Sequence, residues 1–145
     1  KLIIAGEAYE SLDKYKSIIN QYDINNKVVW MNNFLDNQMI EKLMIASELL
    51  VLPYNSASQS GVLSQAWQYN LPSIVTNVGG LPEYVEHGKS GYIVEPNNID
   101  ELEQKIVQFF NSKNSVEMSK YIELNKQKFS WDYHVEGILE LADES

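Results

Sequence analysis

Residues 49–82 read LLVLPYNSASQSGVLSQAWQYNLPSIVTNVGGLP. LLVL is a short unbroken apolar run stopped by Pro53, and SIVT at 73–76 is a second one, followed by the breaking pair Gly79-Gly80. The polar loop YNSASQ lies between them, and from about Ser60 the pattern predicts a helix of roughly ten residues. The stretch therefore predicts a strand, a helix and a second strand. Runs that are apolar throughout, rather than alternating, fit strands of a parallel sheet covered on both faces.

The same period extends in both directions. Upstream, LIIAG at 2–6 reads as a buried strand, and SLDKYKSIINQY at 11–22 places Leu12, Tyr15, Ile18 and Ile19 on one helical face. A turn at Asn25, Asn26 and Lys27 leads into the strand VVWM, and Asp36 suits the N-cap of a helix carrying Ile40, Leu43, Met44 and Ala46. Downstream, a short helical turn is expected near Leu81 to Val85, then the strand GYIV at 91–94, and residues 98–145 read mainly as a helical tail. The expected fold class is α/β, a Rossmann-like doubly wound parallel sheet with right-handed crossovers. Ligands of such sheets sit at the carboxyl ends of the strands. The loops to search are 6–9, 31–35, 54–60 and 77–80. No internal repeat or linker interrupts the 145 residues, which read as a single domain.

Charge narrows the partners. Eleven basic residues stand against 20 acidic ones, a net charge of −9, and every basic residue is lysine. An acidic chain without the arginine fork has no basic patch for a phosphate backbone, so nucleic acid is excluded as a partner. Residues 95–145 hold five Lys and eleven acids, so the tail carries most of the negative charge. With no cysteine and only His87 and His134, there is no disulfide framework and no thiolate or histidine-rich metal site. No apolar run approaches the ~18 residues that span a bilayer. Lys1 is followed by LIIA without a basic leader or cleavage site, and a chain that opens inside a strand without Met is expected to be truncated on its N-terminal side.

From Leu49 to Pro82 there is no Asp, Glu, Lys, Arg or His, although 21% of the chain is charged. Packed strands explain part of that gap, since buried positions exclude charge. The two loops in it are small and polar, however, which suits a surface that meets a ligand with hydroxyls, amides and backbone N–H groups. The helix opening near Ser60 offers N–H groups at Gly61, Val62 and Leu63, and its dipole favours an anion such as phosphate. The simpler reading makes Ser58 or Ser60 only an N-cap. Neither a Walker sequence nor a G-x-G-x-x-G loop is present. The strand ends Gly6-Glu7 and Pro53-Tyr54 lack the carboxylates of a phosphoacceptor domain.

IIAG, VVWMNNF, the run from ASELLVLPYNSASQSG through VTNVGGLPEYVEHGKSGYIV, and FSWDYH together resemble the carboxy-terminal domain of family four glycosyltransferases of the GT-B fold. The resemblance covers nearly the whole chain. Its most specific parts are VGGLPEYVEHGKSGYIV and the spacing from Pro53 to Pro72. It implies a nucleotide-sugar donor held between two such domains and transfer of the sugar with retention, without a metal or other cofactor. The expected role is surface polysaccharide or glycoconjugate synthesis, and the expected location is cytoplasmic, with membrane association only peripheral and through the missing N-terminal domain.

Carried over residue by residue, the resemblance assigns donor binding to Gly6, Glu7, Met31, Ser58, Gln59, Ser60, Gly61, Val62, Leu63 and Gln65. It assigns no catalytic residue. The family's two glutamates fall at Ala57 and Gln65, where both carboxylates are absent. Gln65 can still hydrogen-bond a ribose diol, and Ser58 or Gln59 can meet the sugar. The family's phosphate-gripping Arg and Lys would lie upstream of Lys1, so turnover by these 145 residues alone is not expected. A non-catalytic nucleotide-sugar-binding module is the alternative. An epimerase of related architecture would need charged acid–base groups that the 49–82 window lacks.

Elsewhere the readings are structural. Trp30 is expected in the core, Glu83 as a cap on the short helix, His87 in a turn, His134 on the tail helix, and Trp67, Phe109, Phe129 and Trp131 as packing residues.

Overall fold

Each of the five apolar runs forms a strand, and every strand pairing is parallel. The structure is a computed structural model and describes residues 1–129. In chain order the elements are β1 (Leu2–Ala5), α1 (Asp13–Gln21), β2 (Val28–Met31), α2 (Asn37–Ala46), β3 (Leu50–Leu52), α3 (Gly61–Gln68), β4 (Ser73–Thr76), β5 (Gly91–Val94), α4 (Ile99–Ser112) and α5 (Ser115–Asn125). Short 3-10 turns lie at Asn25–Lys27, Leu81–Tyr84 and Lys126–Phe129. A helix or helical turn lies between successive strands, as parallel neighbours require. This is the expected mixed α/β class. No helix among the described residues is long and apolar enough to cross a membrane.

The strands fall into two sheets, and the chain divides into two compact units, Lys1–Leu43 and Met44 onward. In the first unit β1 pairs with β2, from Leu2 opposite Val28 to Ala5 opposite Met31. The Trp30 ring meets Tyr15 of α1 at a centroid distance of 5.9 Å, so Trp30 packs rather than standing free. The expectation of a buried first strand is corrected here: Leu2 is 54% exposed. β1 has a single strand neighbour, and no residue of this unit is fully buried. On α1, Ile19 is half-buried while Tyr15 and Ile18 remain exposed. Asp36 caps α2 as expected, its carboxylate accepting from the Met39 amide at 2.8 Å.

In the second unit the sheet order is β3-β4-β5, with β4 central. Side chains alternate between faces along a strand. Val75 accordingly joins Leu52, Leu63, Trp67, Leu81 and Ile122 on one side, while Ile74 joins Tyr92, Val94, Phe109 and Met118 on the other. Register enforces the split, since Ile74 stands opposite Tyr92 and Val75 opposite Ile93. One face is covered by α3 and the 81–84 turn, the other by α4, and α5 reaches both through Ile122 and Met118. That is double winding realised around three strands. Trp67 and Phe109 are the packing residues expected of them.

The tail begins as two helices separated by Lys113 in the left-handed region, φ 54°. Asn98 caps α4 by accepting from the Glu101 amide at 3.2 Å. The readings of the Phe129 side chain, Trp131 and His134 lie outside what the structure describes, as does the tail beyond residue 129.

Candidate functional site

The loop from Pro53 to Ser60 joins β3 to α3 at the carboxyl end of the second sheet. Its near end is held by Thr76, the last residue of β4, whose hydroxyl donates to the Tyr54 carbonyl at 2.6 Å. Its far end is held by the glycine pair. The Gly80 amide donates to the Ser58 carbonyl at 2.7 Å. Gly79 sits at φ 51°, and a Cβ there would lie 1.7 Å from the Ala57 carbonyl oxygen. Only glycine tolerates both that backbone angle and that approach. The loop therefore leans on the 77–80 turn through its backbone, leaving the side chains of Ser58 and Gln59 exposed.

α3 then starts at Gly61. Ser60 is buried, and its Oγ accepts from the Leu63 amide at 3.3 Å, so the capping role is realised. This corrects the expectation of three available N–H groups: the Leu63 amide is engaged by the cap, and the fully buried Leu63 side chain anchors the helix in the core. The amides of Gly61 and Val62 have no partner among the described residues, and both positions are exposed. They are the unsatisfied donors that every helix start presents. A Cβ on Gly61 would meet nothing within 4 Å, so the approach to these amides is open. Gln65, one turn further on, is half-buried. Ala57 packs against the core cluster around Leu63 and Trp67, which gives its methyl group a structural use. Ser58, Gln59, Ser60, Gly61, Val62 and Gln65 thus converge on one loop and one helix start. α3 is shorter than expected, ending at Gln68, because Asn70 turns into the left-handed region at φ 56°.

Gly6, Glu7 and Met31 lie in the first unit, at the ends of β1 and β2. The Gly6 amide donates to the Met31 carbonyl at 3.1 Å, and the Ala8 amide to Asn32 Oδ1 at 2.8 Å, so the 6–8 loop is tied to the end of β2. Glu7 is exposed. Glu83, expected to cap the short helix, makes no capping hydrogen bond there; Gly80 occupies the N-cap position. His87 is the turn residue expected, its Nδ1 accepting from the Ile93 amide at 3.1 Å. Sequence reasoning missed Thr76 as the tether of the loop. A threonine at a strand end carries no signal until the register places it beside Tyr54.

The Pro53–Ser60 loop carries no charged side chain, and the positive end of the α3 dipole lies at its far end. An anion bound there would meet backbone N–H groups rather than cationic side chains.

The chain is 26% identical over 162 residues to a sucrose synthase of Melioribacter roseus, covering 97% of this chain and 20% of that protein. It is 27% identical over 148 residues to an uncharacterized glycosyltransferase of Methanocaldococcus jannaschii, covering 99% of this chain and 40% of that one. Among solved structures, Anabaena HepE in complex with UDP superposes with a TM-score of 0.76 at 20% identity, over 99% of this chain and 40% of the other, a likeness of fold. The chain thus spans two fifths or less of the length of these proteins. Residues 1–129 match the family described as "Glycosyl transferases group 1". With that match running through both sheets, the capped α3 and the glycine pair, the chain belongs to the group 1 glycosyl transferases.

Proposed function

We propose that the second unit binds the diphosphate of a nucleotide-sugar at the start of α3, as the donor-binding part of a glycosyltransferase. The observation that carries this reading is the pair of exposed, unpartnered amides at Gly61 and Val62 on the carboxyl side of the sheet. Gln65 then contacts the ribose diol, and Ser58 and Gln59 the sugar. Gly6, Glu7 and Met31, which the family resemblance also assigns to the donor, lie in the first unit, and the reading does not depend on them. Support comes from family membership and from the fold shared with a protein crystallised with UDP. The reaction is sugar transfer with retention, without a metal, onto an acceptor held by a facing domain, in polysaccharide or glycoconjugate synthesis.

A second reading has one observation in its favour. Ala57 packs into the core where the family usually carries a carboxylate, as it would in a binding module that has lost turnover. Two measurements decide. A UDP titration followed by NMR should shift the amides of Gly61 to Gln65, and silence there at millimolar nucleotide would remove the site. Incubation of the complete polypeptide with labelled nucleotide-sugars should give transfer or hydrolysis, whereas binding without either would leave the module.

A further inference from the structure

The β3–β4 ladder runs from Leu50 opposite Ser73 to Leu52 opposite Val75, so the next pair in register would be Pro53 and Thr76. Proline has no N–H to give, and the ladder stops there. Thr76 carries the connection one step further with its side chain. It is 3% exposed, and its hydroxyl donates to the Tyr54 carbonyl at 2.6 Å, with the Leu52 carbonyl 3.5 Å away. A buried hydroxyl with a short bond of this kind has a defined position, and so does the carbonyl it holds.

The turn that follows makes a second hold on the same loop. The Gly80 amide donates to the Ser58 carbonyl at 2.7 Å, and a Cβ at Gly80 would stand 2.9 Å from that oxygen and 3.4 Å from Gln59 Cγ. The segment that makes both holds is itself fixed. The Asn77 amide donates to the Val94 carbonyl at 2.8 Å, the Val78 amide to the Thr76 carbonyl at 2.8 Å, and the Leu81 side chain is fully buried. Residues 76–80 therefore form one edge on which the loop is set at two points.

The start of α3 has an anchorage of its own. Ser60 caps the Leu63 amide within the same helical turn, and Leu63 is fully buried in the core. Within the loop, Tyr54 and Ala57 pack against that core, while Ser58 and Gln59 stand exposed between Ala57 and the buried Ser60. Holding exposed loop residues in one conformation costs conformational entropy. A loop already held from outside presents its groups to a ligand without that cost at the moment of binding.

We propose that Thr76 and Gly80 are positioning residues that set Ser58 and Gln59 for the sugar, separately from the nucleotide-facing amides of Gly61 and Val62. The inference rests on the nucleotide-sugar reading above. Both residues act through carbonyls of the loop, Thr76 through Tyr54 and Gly80 through Ser58, and neither meets the ligand. The start of α3 then gives the affinity for the nucleoside diphosphate, and the 76–80 segment decides how much the sugar adds to it. Loss of either hold lowers the preference for nucleotide-sugar over free nucleotide.

The test compares the parent with Thr76→Val, Thr76→Ser and Gly80→Ala, by calorimetric titration with UDP and with UDP-glucose and by ¹⁵N NMR spectra of the unliganded proteins. Valine keeps the shape of threonine without its hydroxyl. Thr76→Val should shift the amides from Tyr54 to Gln59, bind UDP as the parent does, and bind UDP-glucose about fivefold more weakly. Thr76→Ser keeps the hydroxyl and should restore the parent's preference. Gly80 lies at φ −86°, where alanine fits without backbone strain, so Gly80→Ala should press on the Ser58 carbonyl and Gln59 and give the same selective loss. Equal losses for UDP and UDP-glucose, no loss for either, or a Thr76→Ser variant that behaves like Thr76→Val would overturn the proposal. A parent that binds neither ligand would overturn the nucleotide-sugar reading and the selectivity that rests on it. Unmoved amides from Tyr54 to Gln59 in the unliganded Thr76→Val and Gly80→Ala proteins would overturn the positioning role alone.

Discussion

The Gly80 amide donates to the Ser58 carbonyl oxygen at 2.7 Å, joining two loops that are 22 positions apart in sequence and neighbours at the end of the sheet. Beside that bond, Gly79 lies so close to Ala57 that no side chain fits between them. The glycine pair of the GGLPE segment thereby acts as the rest against which the candidate donor loop is set.

Gly79→Ala tests this arrangement. Forcing alanine into the left-handed region costs about 1–2 kcal/mol. The overlap of the new Cβ with the Ala57 carbonyl adds to that cost. A fall of several degrees in the thermal midpoint is expected, together with altered amide shifts from Ala57 to Gly61. A variant with the parent's melting curve and unmoved loop resonances would show that the loop does not depend on this rest.

Gly61→Val separates binding from folding. The position is open, and valine is a slightly better helix residue than glycine, so stability should change by less than about 1 kcal/mol. The branched side chain would stand over the free amides of the first turn. Calorimetric titration should show UDP binding reduced at least tenfold with the melting curve preserved, and unchanged affinity would place the phosphates elsewhere.

Gln65→Ala removes a neutral hydrogen-bonding group from a half-buried position. Loss of one such bond costs about 1 kcal/mol, or about a fivefold rise in the dissociation constant. Uridine, which retains the ribose diol but lacks the phosphates, should lose affinity in the same proportion. An effect on UDP with none on uridine would move Gln65 from the ribose to the phosphates.

A surface cluster gives a pH signature independent of the ligand. Glu86 accepts a hydrogen bond from the Tyr121 hydroxyl and pairs with Lys89, whose Nζ lies 5.7 Å from the Tyr121 ring centroid. Hydrogen bonding to Glu86 raises both Tyr121 and Lys89 above their ordinary values of 10.0 and 10.5. The folded state then holds these protons more tightly than the unfolded chain does. The stabilisation is complete below the unfolded values and is lost as pH rises through the folded ones, in the alkaline range above about 10. Absorbance titration of tyrosinate, taken as the difference between the parent and Tyr121→Phe, should place Tyr121 above 10, and Glu86→Gln should bring it down. Coincident curves for Glu86→Gln and its parent would remove Glu86 as the cause.

Much of the fold was legible because short apolar runs and their stops are local signals. All five strands, the Asp36 cap, the Ser60 cap and the change to helix after β5 could be read from residues a few positions apart. The candidate site was legible in part for the same reason, since Ser60, Gly61 and Val62 are consecutive and a helix start is a local event. What could not be read was the use already made of a group. The Leu63 amide counted as available until the cap geometry engaged it, and Ala57 looked like an empty ligand position until it proved to be packed on the core.

By itself, then, the sequence determined the element order, the uncharged character of residues 49–82, the acidic balance without arginine and the family resemblance, because each follows from composition, local periodicity or a contiguous motif. Only the tertiary structure decided that Gly80 meets Ser58, that Thr76 holds Tyr54, and that the strands pair in two sheets with β1 largely exposed. Those facts depend on strand register and on which faces pack together, and residues distant in the chain become neighbours only once these are set.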